Sequence, residues 1–355
     1  LFRFLRSSVG KSSIVAMHDQ GTVIEHGAGS SGGAAWWLRP LIGALSPAGP
    51  RGRLTILIFH RVHARPDDLF PNQTHAAAFR ERMLWIRSWF NVLPLDEAVT
   101  ALDRGSLPTR ALAITFDDGY ADNATVALPI LRRLGLPATY FVATAFLDGG
   151  RMWNDTIIES VRRSRDDLDL TSAGLGKYPV GSPQARRTAI GAIIAELKYL
   201  PPEERLARVE RIAAQAAATL PDDLMLSGDQ LRSLAAAGMG IGGHTVSHPI
   251  LAGLDDATAR REIADGRDML EGIVRQPVRL FAYPNGKPNV DYTAAHVRMT
   301  KELGFAAAVS TAPGAARAGD SPYQLPRFTP WDRTPARWGG RLARNLFTRV
   351  ETASA

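Results

Sequence analysis

The 355-residue chain has no cysteine. Disulfides, thiolate zinc sites and a cysteine nucleophile are therefore excluded, although this absence does not fix a compartment. No run approaches the ~18–20 apolar residues that a membrane-spanning helix needs. The first residues hold no apolar segment followed by a small-residue cleavage site, so a cytoplasmic location is the default expectation. No Gly-x-Gly-x-x-Gly follows an early strand-like run, which argues against a dinucleotide fold. Acidic residues are outnumbered, 35 to 42, giving a formal charge of +7. Such a balance would suit anionic glycans, lipid headgroups or nucleic acid. Arginine is scattered and no nucleic-acid motif is found, so nucleic acid is not an expected partner.

What is present is a globular composition, 45% hydrophobic. Residues 1–52 read as a flexible leader and linker, with the Gly/Ser-rich "GAGSSGGAAWW" and the linker-like "PAGPRGR". Residues 53–335 alternate short β-rich runs with helical periodicity. The runs fall at 54–59, 90–93, 111–116, 138–143, 239–243, 278–283 and 305–310. Helical spacing marks 76–89, 96–104, 123–135, 228–237, 256–273 and 292–303. This alternation predicts parallel strands with crossovers, and seven runs suit a barrel better than an open sheet. Residues 151–226 break the rhythm with long helical stretches and no convincing strand, and read as an α-helical insertion walling the pocket, Trp153 and Asn154 at its rim. Residues 336–355 read as an amphipathic helix or tail that packs on the barrel or touches a membrane surface weakly.

Three stretches end predicted strands: "TFDDG" at 115–119, "GGHTVSH" at 242–248 and "FAYPNG" at 281–286. Strand C-termini share one face of a parallel barrel, so the three can converge. His244 and His248 sit four apart, and Gly242, Gly243 and Pro249 place them on a loop. Two imidazoles and one carboxylate form a common metal shell with an open position. Either Asp117 or Asp118 supplies that carboxylate, leaving the other free as a base. Paired aspartates after a strand also occur in phosphotransferases, but Asp-Asp-Gly lacks their Asp-x-Asp spacing.

Taken in order, T-F-D-D-G, H-T-V-S-H and F-A-Y-P-N-G resemble the motifs of the NodB-homology polysaccharide deacetylases, carbohydrate esterase family four. The resemblance covers about residues 53–331. It implies an α/β fold, a distorted (β/α)7 barrel with the α-helical insertion, and metal-dependent hydrolysis of N-acetyl groups on an acetylated glycan. The metal is one divalent ion, usually zinc. Carried over by motif, Asp118, His244 and His248 are the metal ligands, Asp117 is the general base, and Asn285 supplies a backbone N–H to the oxyanion. O-acetyl ester hydrolysis, or cleavage of another non-peptide C–N bond, is the alternative on the same scaffold.

Two departures stand out. Many members steady the base with an arginine where this chain has Ala282; the F-A-Y-P form is similar to the branch with biofilm poly-N-acetylglucosamine deacetylases. Arg327 in "LPRF" is the candidate replacement for that charge. No Leu-x-His motif occurs near the C-terminus, where many members carry the general acid. "LIFHRV" at 57–62 is similar to the Tyr-His-Arg-Val element of that branch, which makes His60 the acid candidate. His18, His26, His63, His75 and His296 carry no motif and are expected at the surface.

Overall fold

A computed structural model describes residues 35–354. Its strands are β1 (Arg53–Phe59), β2 (Asn91–Val92), β3 (Ala111–Phe116), β4 (Thr139–Val142), β5 (Leu168–Asp169), β6 (Lys177–Tyr178), β7 (Gly240–Gly243), β8 (Leu280–Ala282), β9 (Ala307–Val309) and β10 (Ala316–Arg317). The helices are α1 (Leu38–Leu45), α2 (Ala76–Trp89), α3 (Leu95–Asp103), α4 (Leu128–Leu134), α5 (Trp153–Arg163), α6 (Pro183–Leu197), α7 (Pro202–Ala216), α8 (Gly228–Ala236), α9 (Asp256–Val274), α10 (Ala294–Glu302) and α11 (Pro335–Asn345). β1, β3, β4, β7, β8 and β9 are parallel neighbours in that order, and β10 pairs antiparallel with β1. All seven predicted runs contain strand. The run at 90–93, however, is not a separate stave, because β2 pairs only with the start of β3. The curled sheet is instead bridged between β9 and β1 by an irregular segment. Leu325 N–H donates to Ala308 O at 3.0 Å, and Phe328 N–H to Ile56 O at 2.9 Å. Arg327 lies inside that segment.

Period-two alternation sorts the strand residues into two cores. Leu54, Ile56, Ala111, Ala113, Leu280, Ala282, Ala307 and Val309 fill the interior with Phe141, joined by Leu95, Ala98, Val99 and Leu102 of α3. Leu57, Phe59, Leu112, Ile114, Phe116, Phe281 and Ala308 face the surrounding helices. The many interior alanines leave room for Phe141 and for the buried Arg327. Capping sets helix starts: Ser227 and Gln230 form a reciprocal box on α8, and Asp255 accepts from Thr258 N–H on α9. Before α4 the chain makes one π-turn, Asn123–Ala127. Pro129 lacks the N–H that would bond residue 125, which interrupts the α-helical ladder there.

The insertion has its own core, built from Ile157, Val161, Ile190, Ile193, Leu197, Val209 and Ile212 of α5, α6 and α7. It also contains a short hairpin, β5 with β6, that the sequence did not signal because each strand has only two residues. The expected flexible leader needs correction over Leu38–Leu45. That stretch is helix α1, because Leu38 and Ile42 are fully buried against the body. The rest of the leader up to residue 34, with His18 and His26, lies outside the described residues. No described helix is long and apolar enough to cross a membrane.

Candidate active site

The three motifs meet at the C-terminal ends of β3, β7 and β8. Asp117 and Asp118 follow β3 directly, and both are buried. They point to different tasks because the backbone turns sharply between them: Asp118 adopts φ 76°. Gly119 continues at φ 88°, where a Cβ would stand 2.8 Å from Val142 Cγ1, so the turn requires glycine. Thr245, His248 and Asn285 also have positive φ, at 66°, 54° and 57°. Four of the ten non-glycine residues with positive φ among the described residues fall within these three short motifs, a concentration of the kind of strain held at functional sites.

Asp118 Oδ1 lies 3.4 Å from His244 Nε2 and 3.3 Å from His248 Nε2. One ligand atom from each residue falls within 4.8 Å of the others, so the triad could hold one ion. The donor set fits a divalent metal with N/O preference. His244 Nδ1 sits 2.7 Å from Ala282 O, which makes Nδ1 the protonated nitrogen and leaves Nε2 a free lone pair. Burial alone would raise Asp118, but the neighbouring His244 and His248 hold it well below the usual carboxylate range. Burial pushes His248 down to about 4, so its imidazole is neutral at pH 7, as a ligand must be. The loop carrying both histidines is tied to α9. Glu262 accepts from Val246 N–H at 3.0 Å, Ser247 N–H at 2.8 Å and Ser247 Oγ at 2.7 Å. Gly266 lets α9 approach, since a Cβ there would meet the Thr245 carbonyl carbon at 2.8 Å.

Asp117 has a different environment. Arg327 grips both its oxygens, Nη1 on Oδ1 and Nη2 on Oδ2, each at 2.6 Å. The guanidinium is itself buried and donates further to Ser310 O at 2.9 Å and Thr115 Oγ1 at 3.2 Å. Desolvation would raise the Asp117 carboxyl, but Arg327 and then His244 outweigh it and hold the group below its ordinary value. The charge missing at Ala282 is thus supplied from the bridging segment, 210 residues along the chain from Asp117.

His60 follows β1 and is exposed. It is therefore not a core histidine, and it is an electrostatic neighbour of Asp117, Asp118 and His248. Its backbone is clamped: Asn123 Nδ2 donates to His60 O at 2.8 Å, while Asp122 accepts from Val62 N–H at 3.0 Å and Arg61 Nε at 2.8 Å. Arg61 also lies over the Tyr120 ring, 4.7 Å from its centroid. These contacts join the His60 segment to the Asp117–Asp118 segment. In the third motif, Thr311 Oγ1 donates to Asn285 O at 2.8 Å, and Thr311 N–H to Gly286 O at 2.9 Å. The Asn285 N–H makes no protein hydrogen bond among the described residues.

Sequence reasoning missed a further buried carboxylate, Asp155 on α5. Tyr120 Oη donates to it at 3.1 Å, and burial pushes its carboxyl up to about 7, with Asp118 and Glu159 adding to the rise. It links the insertion to the residue just past the first motif. The signal available was "WND", where attention went to Trp153; that ring packs into the insertion's core under Arg205, 5.0 Å from its centroid. His296 is also corrected, from surface to buried: Thr293 N–H donates to its Nδ1 at 3.0 Å, capping α10.

The polysaccharide deacetylase family profile matches residues 104–172 and 203–308, the gap falling within the insertion. A putative polysaccharide deacetylase of Bacillus subtilis, YxkH, is 22% identical over 277 residues, covering 78% of this chain and 70% of that protein. The Streptococcus pyogenes deacetylase PplD, solved in complex with acetate, superposes with TM-score 0.55 at 19% identity, over 83% of this chain and 99% of that one. IcaB from Ammonifex degensii gives TM-score 0.54 at 19% identity, over 85% of this chain and 99% of that one. At these identities the two structures speak to fold alone.

Proposed function

Since the chain belongs to the polysaccharide deacetylase family, we propose that it is a metal-dependent hydrolase removing N-acetyl groups from a polysaccharide or oligosaccharide. The observation that carries the reading is the sorting of two adjacent carboxylates. Asp118 faces two imidazoles, while Asp117 faces a buried arginine. Asp118, His244 and His248 would hold one divalent ion, zinc by the chemistry of the donor set. When bound, the ion would polarise the acetyl carbonyl and acidify a water.

Asp117 takes the proton of the attacking water. Arg327 occupies one lone pair on each of its oxygens and leaves the others free to accept. The arginine keeps the base ionised and aimed, at some cost in basicity. The Asn285 N–H, without a protein partner among the described residues, supports the oxyanion in this reading. His60 donates a proton to the leaving nitrogen, which an amide requires because an amide anion leaves too poorly. An exposed histidine just past β1 suits this step, since protons can reach it from solvent. The presence of that acid favours N-acetyl over O-acetyl substrates.

The test is acetate release by metal-reconstituted protein from N-acetylated oligosaccharides and from O-acetylated xylan, with a chelated control. Release from the amide substrates that falls on chelation is expected. Release from the ester alone, or chelator-insensitive release, would overturn the reading.

A further inference from the structure

Two segments without any acidic residue pack side by side on the outside of the barrel. Residues 35–53 carry Arg39, Arg51 and Arg53, and residues 333–350 carry Arg333, Arg337, Arg341, Arg344 and Arg349. α1 lies along α11: Leu38 packs on Gly339, where a Cβ would stand 2.2 Å from Leu38 Cδ1. At the other end, Ser46 bonds the Arg53 carbonyl, and Arg53 donates to Leu346 O.

α1 is apolar on two sides. Leu38 and Ile42 are fully buried, whereas Trp36, Trp37 and Leu41 are 72%, 43% and 39% exposed. Trp37, Leu41 and Ala44 follow the i, i+4, i+7 spacing of one helix face, and all three are on the outside. Apart from Arg39, α1 is apolar on both its inner and its outer side, and the outer side opens to solvent. α11 is different. Trp338, Leu342, Ala343 and Leu346 are already packed, with Trp338 centred 6.1 Å from Trp85 and 6.3 Å from Trp89. It presents exposed Arg337 and Arg344, and Phe347 just beyond. Around this surface arginines neighbour arginines, Arg39 beside Arg110 and Arg53 beside Arg317. Arg341 is neutralised by Asp332.

We propose that α1 and the arginine edge of α11 dock on an anionic lipid surface. Trp36, Trp37 and Leu41 enter the headgroup–acyl boundary, and Arg39, Arg337 and Arg344 meet lipid phosphates. Tryptophan favours that boundary, and the guanidinium fork matches phosphate oxygens. A second copy of the chain is disfavoured as occupant, because a two-fold pairing would set the same arginines against each other. A glycan is disfavoured because the apolar stripe is a convex helix face with no polar groups for hydroxyls. The C-terminal segment contributes its arginines to this contact and α1 the apolar part, since the apolar side of α11 is packed against α1 and α2.

The test uses the full chain in co-sedimentation with phosphatidylcholine vesicles, with and without phosphatidylglycerol. Binding to the anionic vesicles alone, weakened by salt, is expected. The triple variant Trp36→Ser, Trp37→Ser, Leu41→Ser should abolish it. Arg39→Ser with Arg344→Ser should weaken it by roughly five-fold per arginine. Arg165→Ser with Arg211→Ser, of equal net charge but in the insertion, should bind like the parent. Brominated lipid should quench tryptophan fluorescence of the unmodified protein, which keeps the test decisive if a variant folds poorly. The proposal is overturned by no anionic-vesicle binding, by equal loss in the two arginine pairs, by no quenching, or by self-association that vanishes with the triple variant.

Discussion

Replacing Arg327 by methionine isolates the interaction that sets Asp117 apart from Asp118. The methionine keeps most of the apolar stem and removes the charge and four donated hydrogen bonds, two of them to Asp117 at 2.6 Å. Asp117 would remain buried with its charge uncompensated, and breaking one side of such a pair costs about 3–5 kcal/mol. In a chain of this size that corresponds to a drop in Tm of roughly 4–7 °C. The pH dependence gives a sharper reading. In the parent, the Asp117 carboxyl is depressed in the folded state, so its contribution to stability is present above the unfolded-state pKa and is lost as pH falls through the folded one. In Arg327→Met desolvation acts without its main opponent, so the Asp117 pKa rises and the acid limb of the kcat/KM profile moves to higher pH. Adding Asp117→Asn removes the orphan charge and should restore much of the lost stability while activity stays low. Thermal melts and pH–rate profiles of the two single variants and the double variant measure all of this. An unmoved acid limb, or additive stability losses, would refute the claim that Arg327 holds the base.

Asp117→Asn should leave metal binding largely intact and lower turnover by ~10²–10⁴-fold, whereas Asp118→Asn should lower metal affinity; equal metal loss by titration would contradict the division of labour. His60→Ala should slow amide cleavage far more than cleavage of an activated acetyl ester, whose leaving group needs no proton, and parallel losses would make His60 structural. Asp155→Asn should raise Tm at and above pH 7. The parent carboxyl, at about 7 when folded, lets stability fall as pH rises from the unfolded-state value through 7, so the gain should vanish near pH 4.

The sequence by itself determined the alternation of strands and helices, because period-two and period-3.6 burial are local properties of the chain. α2, at Ala76–Trp89, falls on the spacing read from it. The paired aspartates and the His-x-x-x-His stretch were also legible, since each motif is short and ends a strand. The seventh stave was not legible. The segment around Arg327 bridges β9 to β1 through backbone bonds to Ala308 and Ile56, and nothing local marks it as strand. Nor could local pattern reveal α1 inside a Gly-rich leader, because Leu38 and Ile42 acquire meaning only against Trp89, Gly339 and the other residues they bury. Which aspartate meets the arginine was decided in three dimensions. Identical side chains one residue apart receive opposite surroundings because the backbone reverses at Asp118 and Gly119, and the partners arrive from β7, β8 and the bridging segment. Charge and residue type are written in the chain; the electrostatic neighbours that tune them exist only once distant segments close on one point.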